Sequence, residues 1–208
     1  MMASGKSTVG QLLAAQGAVV IEADRLVHHL QQPGTAETLA IADLLGVHVL
    51  NDDGGLDRDV LKRHIARDPQ VLRLLEEILV PGVIGLLYQH LQQAAQAQAK
   101  VAVLDVPLLF EHNLHHRCDA TVWCDAGADA ATRAQARPGV TAAVYQQLAG
   151  RRLNPTDAAR LATHTLPTRT GGLEKTKAMV AHLYQHIVTL PGQAWPGAWA
   201  DVASSNGI

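Results

Sequence analysis

Along the chain, short continuous apolar runs alternate with longer stretches in which apolar residues recur at helical spacing. Val9, Leu12 and Leu13 mark a first helix that Gly17 stops, and Ala18-Val19-Val20-Ile21 reads as a short buried strand running into Glu22-Ala23-Asp24. Arg25 to Gln32 is helical and ends at Pro33-Gly34. Thr35 caps a helix that reaches Leu45 and closes at Gly46, and Asn51 to Gly55 is a turn cluster. Asp57 caps a helix carrying Val60, Leu61 and Ile65. Asp68-Pro69 opens another, carrying Val71, Leu72, Leu74 and Leu75, which Pro81 is expected to break before a last helix through Leu86, Leu87 and Leu91. Residues 33–98 thus read as a mostly helical insertion between two strands.

Val101 to Val106 is the clearest strand, nearly all apolar with Asp105 near its end. Ala120 to Cys124 predicts another, followed by a helix carrying Arg133 and Arg137 that Pro138-Gly139 closes. Thr141 caps the next helix, Asn154-Pro155 starts a short one, and His164-Thr165-Leu166 is the expected final strand before a helix from Leu173 to Val188. The Gly/Pro/Ser-rich residues 191–208 read as a flexible tail. Strands alternating with helices predict an α/β fold with a parallel sheet covered on both faces.

Composition narrows the partners more than the fold. The 208 residues suit one domain, 48 % of them hydrophobic and 17 % charged. A net charge of −2 provides no electrostatic footprint for nucleic acid. Nothing resembles a signal peptide or a membrane span, and Cys118 and Cys124 lack the spacing of a zinc knuckle or redox pair. The expectation is a cytoplasmic protein, monomeric or weakly homo-oligomeric, with idle thiols.

Candidate chemistry concentrates at the amino end. Gly5-Lys6-Ser7 running into a helix is the second half of a phosphate-binding P-loop. Glycine lets the backbone pass close to a phosphate, Lys6 supplies charge to the β- and γ-phosphates, and the Ser7 hydroxyl suits the accompanying magnesium ion. The first glycine of the full pattern would fall one position ahead of Met1, and the hydrophobic strand that feeds such a loop is absent from the sequence. Asp24, at the carboxyl end of a strand, is the first catalytic candidate, with helix capping as its alternative role. Glu111 with His112, His115 and His116 has ligand-like composition, but the segment reads as a loop rather than a metal site.

Val103-Leu104-Asp105-Val106-Pro107-Leu108-Leu109-Phe110-Glu111 is the decisive stretch. With Gly5-Lys6-Ser7-Thr8, Glu22-Ala23-Asp24-Arg25, Pro33-Gly34 and Asp53-Gly54-Gly55-Leu56-Asp57-Arg58, it resembles dephospho-CoA kinase, from Ser4 to about residue 188. The resemblance implies a P-loop NTPase-like three-layer sandwich and ATP-dependent phosphorylation of the ribose 3′-hydroxyl of dephospho-coenzyme A, the last step of coenzyme A synthesis. ATP and Mg2+ would be its cofactors.

It also assigns roles. Ala3, Ser4, Gly5, Lys6, Ser7 and Thr8 would cradle the ATP phosphates, Ser7 and Asp105 would hold magnesium, and Asp24 would accept the hydroxyl proton. Pro107, Leu108 and Glu111 would line the dephospho-CoA side, and Arg133 and Arg137 would close a lid over ATP. Residues 1–32, 101–129 and 156–190 would form the nucleotide-binding core, 33–98 the helical substrate domain and 130–155 the lid. Val80, Arg152 and Thr163 depart from the family pattern. Two alternatives are another small-molecule P-loop kinase and a degenerate or truncated P-loop chain that binds nucleotide or CoA without catalysis. A version extended by about ten residues, supplying the feeding strand, is expected to be more stable than the chain as written.

Overall fold

The computed structural model describes residues 4–127, 153–168 and 172–205. Helix α1 (Lys6–Ala15) buries Val9, Gly10 and Leu13. It ends where Gly17, at φ 102°, lets the chain reverse: the Gly17 N–H donates to Ala14 C=O and the Ala18 N–H to Leu13 C=O. Strand β1 (Val19–Glu22) leads directly into α2 (Ala23–Leu30). In α3 (Ala36–Leu45) the Thr35 hydroxyl accepts the Thr38 N–H, and in α4 (Arg58–Arg67) the Asp57 carboxylate accepts those of Asp59 and Val60. These are the caps expected from the sequence.

Helix α5 (Pro69–Gln96) corrects one expectation. Asp68 caps it and Pro69 occupies its first turn as expected, but Pro81 lies inside the helix and does not break it. A proline in a helix interior costs about 3 kcal/mol. Here the helix is held on both sides of the proline, by buried Val71 and Leu75 before it and by Val83, Leu87, Tyr88 and Leu91 after it. Gly82 keeps the crossing close, since a Cβ there would meet Glu37 Oε1 and, at 2.9 Å, Leu30 Cδ1.

After α5 come β2 (Ala102–Asp105), β3 (Val122–Asp125), α6 (Pro155–Leu161, capped by Asn154), β4 (His164–Pro167), α7 (Gly172–Ile187) and α8 (Ala200–Ser205). Among the described residues both strand pairs are parallel, as expected of this fold class: β1 pairs with β2, Val19 opposite Ala102, and β3 with β4, Val122 opposite His164. Among the described residues there are two separate two-stranded pieces, and β2 does not pair with β3. At the amino ends of β3 and β4, the Thr163 side chain joins the two strands. Its hydroxyl accepts the Thr121 N–H at 2.7 Å and donates to Thr121 C=O at 2.8 Å, closing the ladder.

Among the described residues, three apolar clusters result. Val9, Leu13, Ala18, Val101, Cys124, Leu166, Val180 and Leu183 join α1 and α7 to the strands. Ile21, Leu26, Leu30, Leu87 and Leu91 join β1 and α2 to the second half of α5. Ile41, Val49, Leu61, Val71 and Leu75 give α3, α4 and the first half of α5 a core of their own.

The chain beyond Pro191 is not loose along its described part. Trp199 is 1 % exposed and donates its indole N–H to Arg117 C=O at 3.0 Å. Arg117 stacks over the Trp199 ring and meets Asp201 through two 2.6 Å hydrogen bonds, while Asp119 accepts the Gln193 and Ala194 N–H groups. Composition misled because one buried aromatic outweighs many loop-forming neighbours.

Two expectations follow. Trp199→Ala removes a fully buried indole and should lower unfolding stability by about 3–5 kcal/mol in chemical denaturation; an unchanged midpoint would mean the tail is not docked. Arg117 holds the Asp201 carboxyl down at about 2, against an ordinary 3.8. A carboxyl depressed in the folded state stabilises above its ordinary value, and that contribution fades as pH falls from 3.8 towards 2. Asp201→Asn should remove this part of the acid sensitivity, read as the difference in melting temperature between the two proteins across that window.

A candidate phosphate-binding site

The start of α1 is the candidate anion site. Gly5 caps the helix in the left-handed region, at φ 83°, with no side chain to occupy the first-turn amides. The first intrahelical bond runs from the Val9 N–H to Gly5 C=O, so the first-turn amides lie ahead of the helix's own ladder. No acidic residue stands in the first turn to neutralise the helix dipole.

Two strand ends hold this turn in place. The Thr168 hydroxyl, just after β4, donates to Ser4 C=O at 2.6 Å, and the Thr168 N–H donates to Asp125 C=O at the end of β3. The fit is tight, because a Cβ on Gly5 would lie 3.0 Å from the Thr168 Cβ. On the other side, Lys6 Nζ forms an ion pair with Asp105 Oδ1 at the end of β2. The Asp105 side chain is only 9 % exposed and that of Lys6 34 %.

Asp24 lies in the first turn of α2, exposed, two residues beyond Glu22, which is in register with Asp105. Glu22, not Asp24, is the cap residue of α2, so the capping alternative is set aside. Pro107 to Glu111 form turns after β2, and Glu111 Oε1 accepts the Leu153 N–H at 2.9 Å, tying this segment to the approach to α6.

Ser4, Lys6, Asp105, Pro107 and Glu111 line a single cavity of about 850 Å³. Ser7, Thr8, Asp24 and Leu108 are not part of that lining; Ser7, Thr8 and Asp24 are exposed at the two helix starts. Ala3, Arg133 and Arg137 lie outside the described residues. Cys124 also borders the cavity, its thiol pushed up to about 11 by burial, with Lys6 pulling weakly the other way. No group of three or more metal-ligating side chains occurs among the described residues, and His115 and His116 instead stack on each other.

The residue that sequence reasoning missed is Thr168. Its signal was a hydroxyl immediately past a strand's carboxyl end, but its partner is 164 positions away. Thr168→Val keeps the shape and the backbone bond to Asp125 but removes the hydroxyl's bond to Ser4 C=O, and should cost about 1–2 kcal/mol in chemical denaturation, while Thr168→Ser keeps most of the stability. Equal losses in the two variants would show that the hydroxyl does not hold the loop.

A sequence model described as dephospho-CoA kinase matches residues 1–174. The dephospho-CoA kinase of Symbiobacterium thermophilum is 38 % identical over 181 residues, covering 86 % of this chain and 75 % of that protein. That of Leifsonia xyli is 37 % identical over 188 residues, covering 88 % and 93 %. Among solved structures, TT1252 from Thermus thermophilus superposes with a TM-score of 0.69 at 29 % identity, covering 88 % of this chain and 93 % of the other. The dephospho-CoA kinase from Campylobacter jejuni, at 15 % identity, shares the fold with a TM-score of 0.67 over 90 % of this chain and 93 % of its own. With the matched sequence spanning both the half P-loop and the stretch from Val103 to Glu111, this chain belongs to the dephospho-CoA kinase family.

Proposed function

We propose that the chain transfers the γ-phosphoryl group of ATP to the ribose 3′-hydroxyl of dephospho-coenzyme A, the closing step of coenzyme A synthesis, in the cytoplasm. The observation that carries this is Lys6 on the open helix start, paired with Asp105 at the end of β2, above a cavity that Pro107 and Glu111 also line.

In this reading the first-turn amides of α1 and Lys6 bind the β- and γ-phosphates. A phosphate that takes Lys6 leaves Asp105 a nearly buried carboxylate without its cation, and such a charge demands a replacement. Asp105 and the Ser7 hydroxyl are hard oxygen donors that fit Mg2+. Held there, Mg2+ neutralises charge on the phosphate oxygens. Asp24 orients the 3′-hydroxyl and accepts its proton as the oxygen attacks phosphorus. Pro107, Leu108 and Glu111 border the acceptor, residues 33–98 hold the rest of dephospho-CoA, and Arg133 and Arg137 close over ATP to exclude water.

The test is ATP-dependent conversion of dephospho-CoA to CoA by the purified chain. Turnover should fall by about 100-fold or more in Lys6→Ala. In Asp24→Asn, kcat should drop by about 10²–10⁴ while ATP affinity is kept. Turnover unchanged in Lys6→Ala would overturn the assignment. A folded chain that binds ATP without turning over would leave a nucleotide-binding protein, and turnover with other alcohols only would leave a different small-molecule kinase.

A further inference from the structure

Two histidines from different elements of the helical unit meet nitrogen to nitrogen. His48 lies in the short 3-10 turn Val47–Val49 that follows α3, and His64 in the last turn of α4. Their Nε2 atoms are 2.9 Å apart, the ring centres 5.1 Å apart and the ring planes tilted by 37°. The residues beside them are anchored. Val49 is fully buried, and Leu61, one turn before His64, lies in the same apolar cluster. The Asp57 N–H donates to Val49 C=O at 2.8 Å, which fastens the turn to the start of α4, and the Asp68 N–H closes α4 on His64 C=O at 2.9 Å. Gly46 makes room for the first ring, since a Cβ there would lie 2.8 Å from His48 Nδ1. The backbone thus presets both imidazoles before any ligand arrives.

In this pairing one ring carries the shared hydrogen and the other accepts it. Among the described residues neither ring has a further hydrogen-bond partner. A divalent ion placed between the two nitrogens bonds both lone pairs, and the shared hydrogen moves to Nδ1 of its own ring. With metal–nitrogen bonds of about 2.0–2.1 Å at a tetrahedral angle, the nitrogens would stand about 3.4 Å apart and the ring centres about 5.2 Å. The ring centres already have nearly that separation, so a pivot of each ring that spreads the nitrogens by about 0.5 Å completes the geometry. His48 is exposed and His64 half-buried, which leaves the other coordination positions open to water. Imidazole nitrogen suits zinc, nickel and copper, whereas magnesium takes oxygen.

We propose that His48 and His64 form a two-histidine site for a divalent ion of the zinc, nickel or copper class, which clamps the Val47–Val49 turn to the end of α4. Water completes the coordination. The site shares no residue with the phosphate-binding turn and takes a different class of metal from the Mg2+ proposed there. The inference does not depend on the phosphotransfer reading.

The experiment titrates Zn2+, Ni2+ or Mg2+ into the metal-stripped 208-residue chain at neutral pH, beside His48→Gln, His64→Gln and, as a control, His116→Gln. In nitrogen NMR of the rings, His48 and His64 should shift together on Zn2+ and stay unmoved by Mg2+. At about a hundredfold excess over its Kd, Zn2+ should raise the melting temperature of the parent and of His116→Gln by about 5 °C, and that of His48→Gln and His64→Gln by less than about 1 °C. It should also slow hydrogen exchange at Val49, Leu50 and Asp68 by about tenfold in the parent. Equal stabilisation of the parent and both site variants would overturn the proposal by placing the ion elsewhere. Loss in one site variant alone would overturn it too, since the ion would then rest on a single imidazole. Rings left unmoved by both Zn2+ and Ni2+ would reduce the pair to a hydrogen bond.

Discussion

The structure at its working end depends on how few atoms fix the turn from Ser4 to Lys6. Thr168 grips the Ser4 carbonyl from one pair of strands, and Asp105 grips the Lys6 ammonium from the other. Gly5 passes between them at a backbone angle that a side chain would oppose, within contact of Thr168. Neither contact is strong alone, since a hydroxyl-to-carbonyl bond contributes about 1 kcal/mol net and the attraction within a shielded ion pair is largely offset by desolvation. Their value is positional. Together they aim the first-turn amides of α1 into the space where the strands end.

The same logic explains what could be read directly from the sequence. Thr35, Asp57, Asp68 and Asn154 each cap a helix through an N–H two or three residues away, and Gly17 and Gly46 end helices by their own backbone angles. Such signals are local, so sequence order alone reveals them. The strands were equally legible, because buried parallel strands are short apolar runs between helices. Asp105 and Glu111 were found through the motif that contains them, and their meeting with Lys6 at one cavity is a consequence of the parallel topology.

What the sequence hid was decided by distant partners. Pro81 looks like a helix breaker until α2 and α3 are placed against Gly82 and the buried residues on either side of the proline are counted as one surface. Residues 191–208 look like a tail until Trp199 is seen under Arg117, 82 positions earlier. Thr163 looks like a mere departure from the resemblance until its hydroxyl is found bonded to both backbone groups of Thr121. In each case local propensity sets a cost of a few kcal/mol at most, and a contact invisible to local reading exceeds it.

The Lys6–Asp105 pair gives the site its electrostatic character. An ammonium and a carboxylate that are mostly shielded from water satisfy each other, and together they present little net charge to the cavity. A polyphosphate entering beside α1 brings several negative charges and competes with Asp105 for the lysine. The carboxylate cannot follow the lysine, because it sits on the last residue of β2, in register with Glu22 of β1. Any anion that takes Lys6 therefore increases the negative charge around Asp105, and occupancy is favourable only when a cation arrives with it. In the proposed reading, a nucleotide entering as its divalent-metal complex would meet this condition better than the bare polyanion. If the proposed function holds, the pairing of Asp105 with Lys6 would thus favour the metal complex before any contact with the nucleoside is made.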